Sequence, residues 1–231
     1  MKGMTGVVVA AAICANACPA QSQIVDKAQN HVAEKKKHHR FFVGIAATHL
    51  AFSEHSRITV NGTTDPAAQQ RMTNNVGGLL QLGYQINPHF AAVVAVGTPQ
   101  TTTERATGSI AAAGELGRVQ FVPVVANILY LLPKVGRVHP FVGGGFSYSI
   151  VTRSRGSFLQ NFRAGDSFGP ELIAGTEVSI TPRVAVNAFY SKTFFSSLVK
   201  FNLPPSFGSP AGTNHLRLDP TMVGVGLKFR I

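Results

Sequence analysis

The chain has 231 residues, of which only 13% are charged, yet its formal net charge is +11. So sparse a charge does not suit a cytosolic enzyme, and the basic residues are scattered through turns rather than striped along a helix, which argues against nucleic-acid binding. Twenty-three glycines and sixteen phenylalanines point instead to a strand-and-turn protein with much apolar surface.

Residues 1–20 read as a cleavable secretory signal peptide: Lys2, an apolar stretch from Val7 to Ile13, then small residues from Ala15 to Ala20. Cleavage fits after Ala17 and after Ala20. Both cysteines, Cys14 and Cys18, sit at this junction, and Cys18 follows a small residue as a lipidated cysteine would. Residues 21–39 form a polar, basic N-terminal tail, expected in the periplasm. Its adjacent His38 and His39 cannot gather the further ligands a metal ion needs, so no metal and no cofactor is expected.

No later stretch matches a membrane helix. The longest apolar run, Val119 to Leu132, is interrupted by Gln120, Pro123 and Asn127 and falls short of the ~20 residues a helical span requires. Any insertion must be by strands. Eight extended segments can be marked, near 40–52, 76–86, 89–98, 118–132, 139–152, 167–180, 183–198 and 216–231. Their connections alternate between tight turns with proline or asparagine and long, polar, glycine-rich stretches near 53–75, 99–117, 153–166 and 199–215. Short turns on one rim and long loops on the other are the arrangement of an outer-membrane barrel.

Side-chain parity supports this. One face carries Leu80, Leu82, Tyr84 and Ile86; then Val122, Val124, Ala126, Ile128 and Tyr130; then Leu172, Val178 and Ile180; and finally Val223, Val225, Leu227, Phe229 and Ile231. Tyr84, Phe90, Tyr130 and Phe229 fall toward the short-turn rim, where an interfacial aromatic girdle belongs. The opposite face mixes Gln81, Asn127, Glu171, Glu177, Asn187, Lys228 and Arg230 with hydrocarbon from Leu79, Phe121, Val125, Leu129, Ile173, Phe189 and Met222. Such a face is too greasy for a water-filled pore, and eight strands enclose a space narrow enough to be filled or to hold one slim ligand. The first and third segments are apolar on both faces.

Three stretches carry a resemblance. HPFVGGGFSY (His139–Tyr148), SFGP (Ser167–Pro170) and LDPTMVGVGLKF (Leu218–Phe229) resemble the OmpW family of small outer-membrane barrels, which includes the AlkL-type hydrocarbon importers. The likeness covers roughly 40–231. The chain departs from the family pattern with Phe168 and Thr221 where tryptophan is usual, and with Ile231 in place of a terminal aromatic, the mark read by the barrel-assembly machinery.

The resemblance implies an all-β protein: an eight-stranded antiparallel transmembrane β-barrel in the bacterial outer membrane, with short periplasmic turns and longer extracellular loops. Its implied activity is passive admission of small hydrophobic molecules through an apolar lumen, with release sideways through a gap in the wall. Carried onto this chain, Leu79, Phe121, Val125, Leu129, Ile173, Phe189 and Met222 are the expected lumen lining, and Pro123 and Pro170, which lack a ladder N–H, the expected lateral opening.

The alternative is a plugged barrel whose extracellular loops carry a structural or host-interaction function. Catalysis is not expected: His49, Ser53, His55 and Ser56 could in principle support acyl transfer at the long-loop rim, but only Glu54 accompanies them as an acid. Expected partners are outer-membrane lipid and lipopolysaccharide, small hydrophobic solutes and the barrel-assembly machinery, with Arg105, Arg153, Arg155 and Arg163 placed outside near lipopolysaccharide. The sequence assigns no oligomeric state.

Overall fold

A computed structural model of the protein describes residues 40–231. The expected signal peptide and basic tail, with Cys14, Cys18, His38 and His39, lie outside the described residues. In chain order the strands are β1 (Phe41–Ala51), β2 (His55–Val60), β3 (Thr63–Asp65), β4 (Ala68–Met72), β5 (Asn75–Gln85), β6 (Phe90–Gly97) and β7 (Gln100–Gly108). They continue as β8 (Glu115–Leu131), β9 (Val138–Gly156), β10 (Gln160–Ala164), β11 (Ser167–Ser179), β12 (Val184–Thr193), β13 (Ser196–Asn202), β14 (Ala211–Arg217) and β15 (Thr221–Arg230). Short 3-10 turns occupy Ala111–Ala113 and Pro205–Phe207.

Eight of these strands close a barrel in the order β1, β5, β6, β8, β9, β11, β12, β15, with β15 returning to β1. All neighbours are antiparallel and the sheet closes on itself, so apart from the interruptions at Pro123 and Pro170 the backbone pairs within the wall, as a bilayer demands. The short turns are pinned locally. Asn87 accepts from the N–H groups of His89 and Phe90 through its side-chain oxygen, both at 2.8 Å, and the Thr181 hydroxyl accepts from Val184 N–H at 3.0 Å. Gly136 supplies the positive φ of +62° that the β8–β9 turn requires.

Parity sorts the wall as the alternation predicts. Ile45, Leu80, Leu82, Val94, Ile128, Leu172, Val223 and Val225 point outward and are exposed, while Phe42, Leu79, Val125, Leu129, Phe189 and Met222 are buried inside. The two ambiguous segments resolve as well: β6 turns Ala91, Ala95 and Gly97 inward and Phe90, Val94 and Val96 outward. On β1 the outward face is Phe41, Ile45 and His49 and the inward one Phe42, Ala46, Thr48 and Leu50. Exposed and half-buried aromatics ring the short-turn rim, with Phe41 beside Tyr84 at 4.8 Å and Phe90 beside Tyr130 at 5.3 Å.

The stretches expected to be long loops are substantially folded. β8 and β9, at 17 and 19 residues, run well past the ~9–11 residues of a membrane strand, and β4 and β7 extend the barrel sheet beside β8. A second sheet, ordered β10, β13, β14, β2, β3, stands above the same rim. These strands are rich in threonine and serine, which suit a pleated surface yet read as loop when apolar alternation is the signal sought.

The outward face records where the membrane ends. On β8 it passes from Val124 and Val122 to Gln120 and Arg118, and on β9 from Ile150 to Arg153 and Arg155. A register shift between Gln120 and Phe121, opposite Thr152, re-aims the last two outward.

Candidate functional site

Above the membrane level a cavity of about 400 Å3 opens between the second sheet and the extensions of β7 and β8. Its apolar walls are Ile58 and Val60 of β2, Leu116 of β8, Val199 and Phe201 of β13, and Phe158, Leu159 and Phe162 from the turn into β10. Ala112, Ala113 and Phe207 from the two 3-10 turns sit at its edge. Apart from Ser109, this cup is greasy except at its floor, where Glu104, Gln70 and Asn214 meet, all buried.

The three form a relay of hydrogen bonds. Asn214 Nδ2 donates to Gln70 Oε1 at 2.8 Å, Gln70 Nε2 donates to Glu104 Oε2 at 3.2 Å, and Asn214 Oδ1 accepts from the Arg57 backbone N–H at 3.1 Å. Glu104 has no cation among its hydrogen-bond or ion-pair partners among the described residues, and it is only 1% exposed. At its level the outward neighbours on β7 are Thr103 and Arg105, so it stands outside the bilayer. Burial pushes its carboxyl up to about 7, against a smaller downward pull from Gln70. None of this trio was legible as a site: QTTTERATG has a two-residue period, but the side chains it turns inward are Gln100, Thr102, Glu104 and Ala106.

Beneath the cup is a neck of about 30 Å3, lined by Glu104, Phe52, Met72, Phe121, Phe195 and Leu218, and on one side by Ser149, Gly165, Ser167 and Ser197. There the wall changes partners. The β11–β12 ladder runs only to Glu171 opposite Thr193, with one further bond from Phe194 N–H to the Pro170 carbonyl at 3.0 Å. Pairing resumes where Gly165 N–H donates to the Leu198 carbonyl and Ala164 faces Val199. In between, Ser167, Phe168 and Gly169 pair with β9 alone. Pro170 thus caps the ladder, and the interval beside it is framed on the outside by Phe168, Phe194 and Leu198, all exposed.

Pro123 marks a second seam, of different character. The β6–β8 ladder stops at Val96 opposite Val124, and β7 takes over at Gln100 opposite Phe121. Pro123 is buried there with its ring against Gly97, where an added Cβ would meet Pro123 Cγ at 2.5 Å. Both seams are close-packed at a glycine, Gly97 against Pro123 and Gly169 against the Phe194 backbone, but only the one at Pro170 adjoins the neck, through Gly165, Ser167 and Ser197.

The barrel interior within the membrane is far tighter than the cup, with a void of about 50 Å3. Leu79, Val125, Leu129, Ile173, Phe189 and Met222 border this void, while Phe121 lies higher, at the neck. Inside the wall Phe42 and Phe189 lie flat over Gly83 and Gly224, the residues opposite them on the neighbouring strands, where only glycine leaves the rings room. Polar groups knit the remaining space: Asn127 donates to Glu171 at 3.1 Å, Thr193 to the same carboxylate at 3.2 Å, and Asn187 to Gln81 at 3.3 Å. Near the periplasmic end Glu177 pairs with both Lys228, at 2.6 Å, and Arg230, and the Lys228 ammonium stands 3.6 Å over the Phe42 ring.

The Ser/His group at the long-loop end of β1 does not converge. His49 is outward-facing and sits opposite Val223 and Val76. Ser56 donates to Ala68 and Gln69, and Glu54 accepts from Met72 N–H at 2.7 Å, so its carboxylate serves to pin the turn into β5.

Comparison with known proteins agrees with this architecture. The sequence model of the OmpW family matches residues 37–231. The chain is 26% identical over 187 residues to the dibenzothiophene metabolism operon protein PahQ of Pseudomonas aeruginosa, covering 80% of this chain and 86% of that protein. DoxH of Pseudomonas sp. (strain C18), described by the same operon, matches to the same extent. The crystal structure of the outer membrane protein OprG from Pseudomonas aeruginosa superimposes with a TM-score of 0.76 at 15% identity, over 82% of this chain and 95% of that one. The outer membrane protein AlkL, solved in lipid bilayers, gives 0.59 at 20% identity, over 80% and 89%.

Proposed function

The chain belongs to the OmpW family and resides in the bacterial outer membrane, and from that premise we propose that it admits small hydrophobic molecules passively. The cup takes the solute from the outside, the neck passes it downward, and the interval beside Pro170 releases it sideways into the bilayer. The observation that carries this reading is the contrast in room: about 400 Å3 of apolar cavity above a lumen with about 50 Å3. Transfer of apolar surface out of water drives capture at ~25 cal/mol per Å2, and the lipid at the far end of the interval is as favourable a solvent, so no energy source is needed. A relative whose name refers to dibenzothiophene metabolism supports a flat aromatic or similar hydrocarbon as the kind of solute.

On this reading the expected lumen residues, Val125 and Leu129 among them, act as a plug below the exit. The barrel needs no catalytic group, and its assembly relies on the barrel-assembly machinery despite the missing terminal ring. The test is uptake of a fluorescent polycyclic aromatic by proteoliposomes. Faster uptake than by empty liposomes is expected, and equal rates would remove the proposal.

A further inference from the structure

Immediately beyond the apolar band, the outward face of the β4, β7, β8 and β9 extensions carries five arginines, Arg71, Arg105, Arg118, Arg153 and Arg155, all exposed. Register places them side by side: Arg71 faces Arg105 across β4 and β7, and Arg118 faces Arg155 across β8 and β9. Like charges directly opposite on neighbouring strands repel. One acid answers them, Glu115, which takes a bidentate pair of bonds from Arg118 at 2.9 and 3.1 Å. The bonds from Arg118, with a smaller contribution from Arg105, hold the Glu115 carboxyl below its usual range. Among the described residues, no ion pair engages Arg71, Arg105, Arg153 or Arg155.

Between these strands lies a concavity of about 220 Å3 lined by Arg118, Arg153 and Arg155 with Thr101 and Gln120, a wall of donors with no carboxylate. Its depth relative to the membrane follows from the strand. Arg118 lies roughly 13 Å along β8 from the outward Val122, at ~3.4 Å per residue, and the tilt of the strands brings its guanidinium into the headgroup layer. This rim is the one opposite the short turns, so it meets the outer leaflet.

We infer that this arginine-walled concavity binds the phosphate groups of a lipopolysaccharide molecule packed against the outside of β7, β8 and β9. The planar fork of a guanidinium matches a phosphate through two parallel bonds, and a dianion held by Arg153 and Arg155, which no acid among the described residues engages, offsets the repulsion between Arg155 and the Glu115-bound Arg118 opposite it. The site is separate from the solute path, whose cup lies on the inner side of the same strands.

The test uses the full chain in phosphatidylcholine nanodiscs and measures binding of bisphosphorylated lipid A. The variant Arg153→Gln/Arg155→Gln is expected to bind about tenfold more weakly or worse, with a flatter salt dependence. Arg163→Gln/Lys200→Gln, which removes a facing cationic pair from the second sheet, should leave binding within about twofold of the parent, at the level of neutral surface changes. Heat-modifiable gel mobility confirms that each variant is folded. Unchanged binding by Arg153→Gln/Arg155→Gln, or an equal loss in the second-sheet variant, overturns the assignment. So does equally tight binding of lipid A stripped of both phosphates. Inorganic phosphate binding as tightly as lipid A would mean a free-anion site and would also overturn it.

Discussion

The cup and the lumen are built from the same materials, phenylalanines and aliphatic side chains around a buried carboxylate, yet one is open and the other nearly filled. Curvature makes the difference. In the lumen eight strands close on themselves, and so narrow a ring is nearly filled by side chains such as Phe42 and Phe189, each lying over a glycine of the neighbouring strand. In the cup the second sheet and the β7–β8 extension face one another without closing, so Phe162 and Phe201 line a space instead of filling one. The carboxylates differ in the same sense. Glu177 is held by Lys228 and Arg230, whereas Glu104 is held only by an amide. The lumen thus contains a carboxylate fixed by two cations, which the cup does not, although the lumen's other buried carboxylate, Glu171, is held like Glu104 by neutral groups alone.

The comparison can be broken most forcefully at the plug. Glu177→Ala leaves Lys228 and Arg230 buried without their partner and should destabilise the barrel by about 3–5 kcal/mol, read from unfolding in urea with lipid or detergent present. A loss below about 1 kcal/mol, the worth of an exposed pair, would mean that the cluster is solvated.

Glu104 gives a pH signature of nearly the same size. Its folded pKa is raised from 4.5 to about 7, so between those values the folded state holds a proton that the unfolded chain has released. Stability therefore falls as pH climbs through this window, by about 3 kcal/mol in all. Glu104→Gln, which preserves the bond from Gln70, should match the parent near pH 4 and exceed it near pH 8. Parallel stability profiles for the two proteins would show that the carboxyl is not buried as described.

Transport separates the two regions next. Ser197→Phe places a ring in a neck of about 30 Å3 and should slow uptake of a polycyclic aromatic by about tenfold, whereas Val125→Phe in the lumen should change it less than twofold. Equal slowing by both would favour a route down the axis. The smallest effect is expected from Pro170→Ala. Restoring an N–H at the end of the β11–β12 ladder should add about 1 kcal/mol of stability and slow solute release by about twofold, read as the rate at which the probe reaches the lipid.

Much of the barrel was legible because a lipid-facing wall obeys a strict rule. From Thr221 to Ile231 each second residue must be apolar, and the exposure of Val223, Val225, Leu227 and Phe229 follows that alternation. β1 and β6 were ambiguous because Ala46, Ala91 and Ala95 face inward, and alanine reads as apolar on either side. The folded extensions were missed for a related reason. Their inward positions include Thr102, Glu104 and Asn214, polar groups that pair with one another, so no hydrophobic period announced a strand. The narrowness of the lumen depends on rings from one strand lying over glycines of the next, a pairing fixed by register and not by composition. The two prolines were legible as interruptions, but their different surroundings were not: Pro123 packs its ring against Gly97, whereas at Pro170 the β11–β12 ladder ends and Gly169 lies against Phe194.

The most direct test is to map where an apolar solute touches the wall. A photoactivatable polycyclic hydrocarbon, irradiated with the full chain in nanodiscs and located by peptide mass spectrometry, should label the cup at Phe162 and Phe201 and the exit at Phe168 and Phe194. Labelling concentrated instead on Leu129, Ile173 and Phe42 would place the solute on the barrel axis and contradict the separation of an open cup from a plugged lumen.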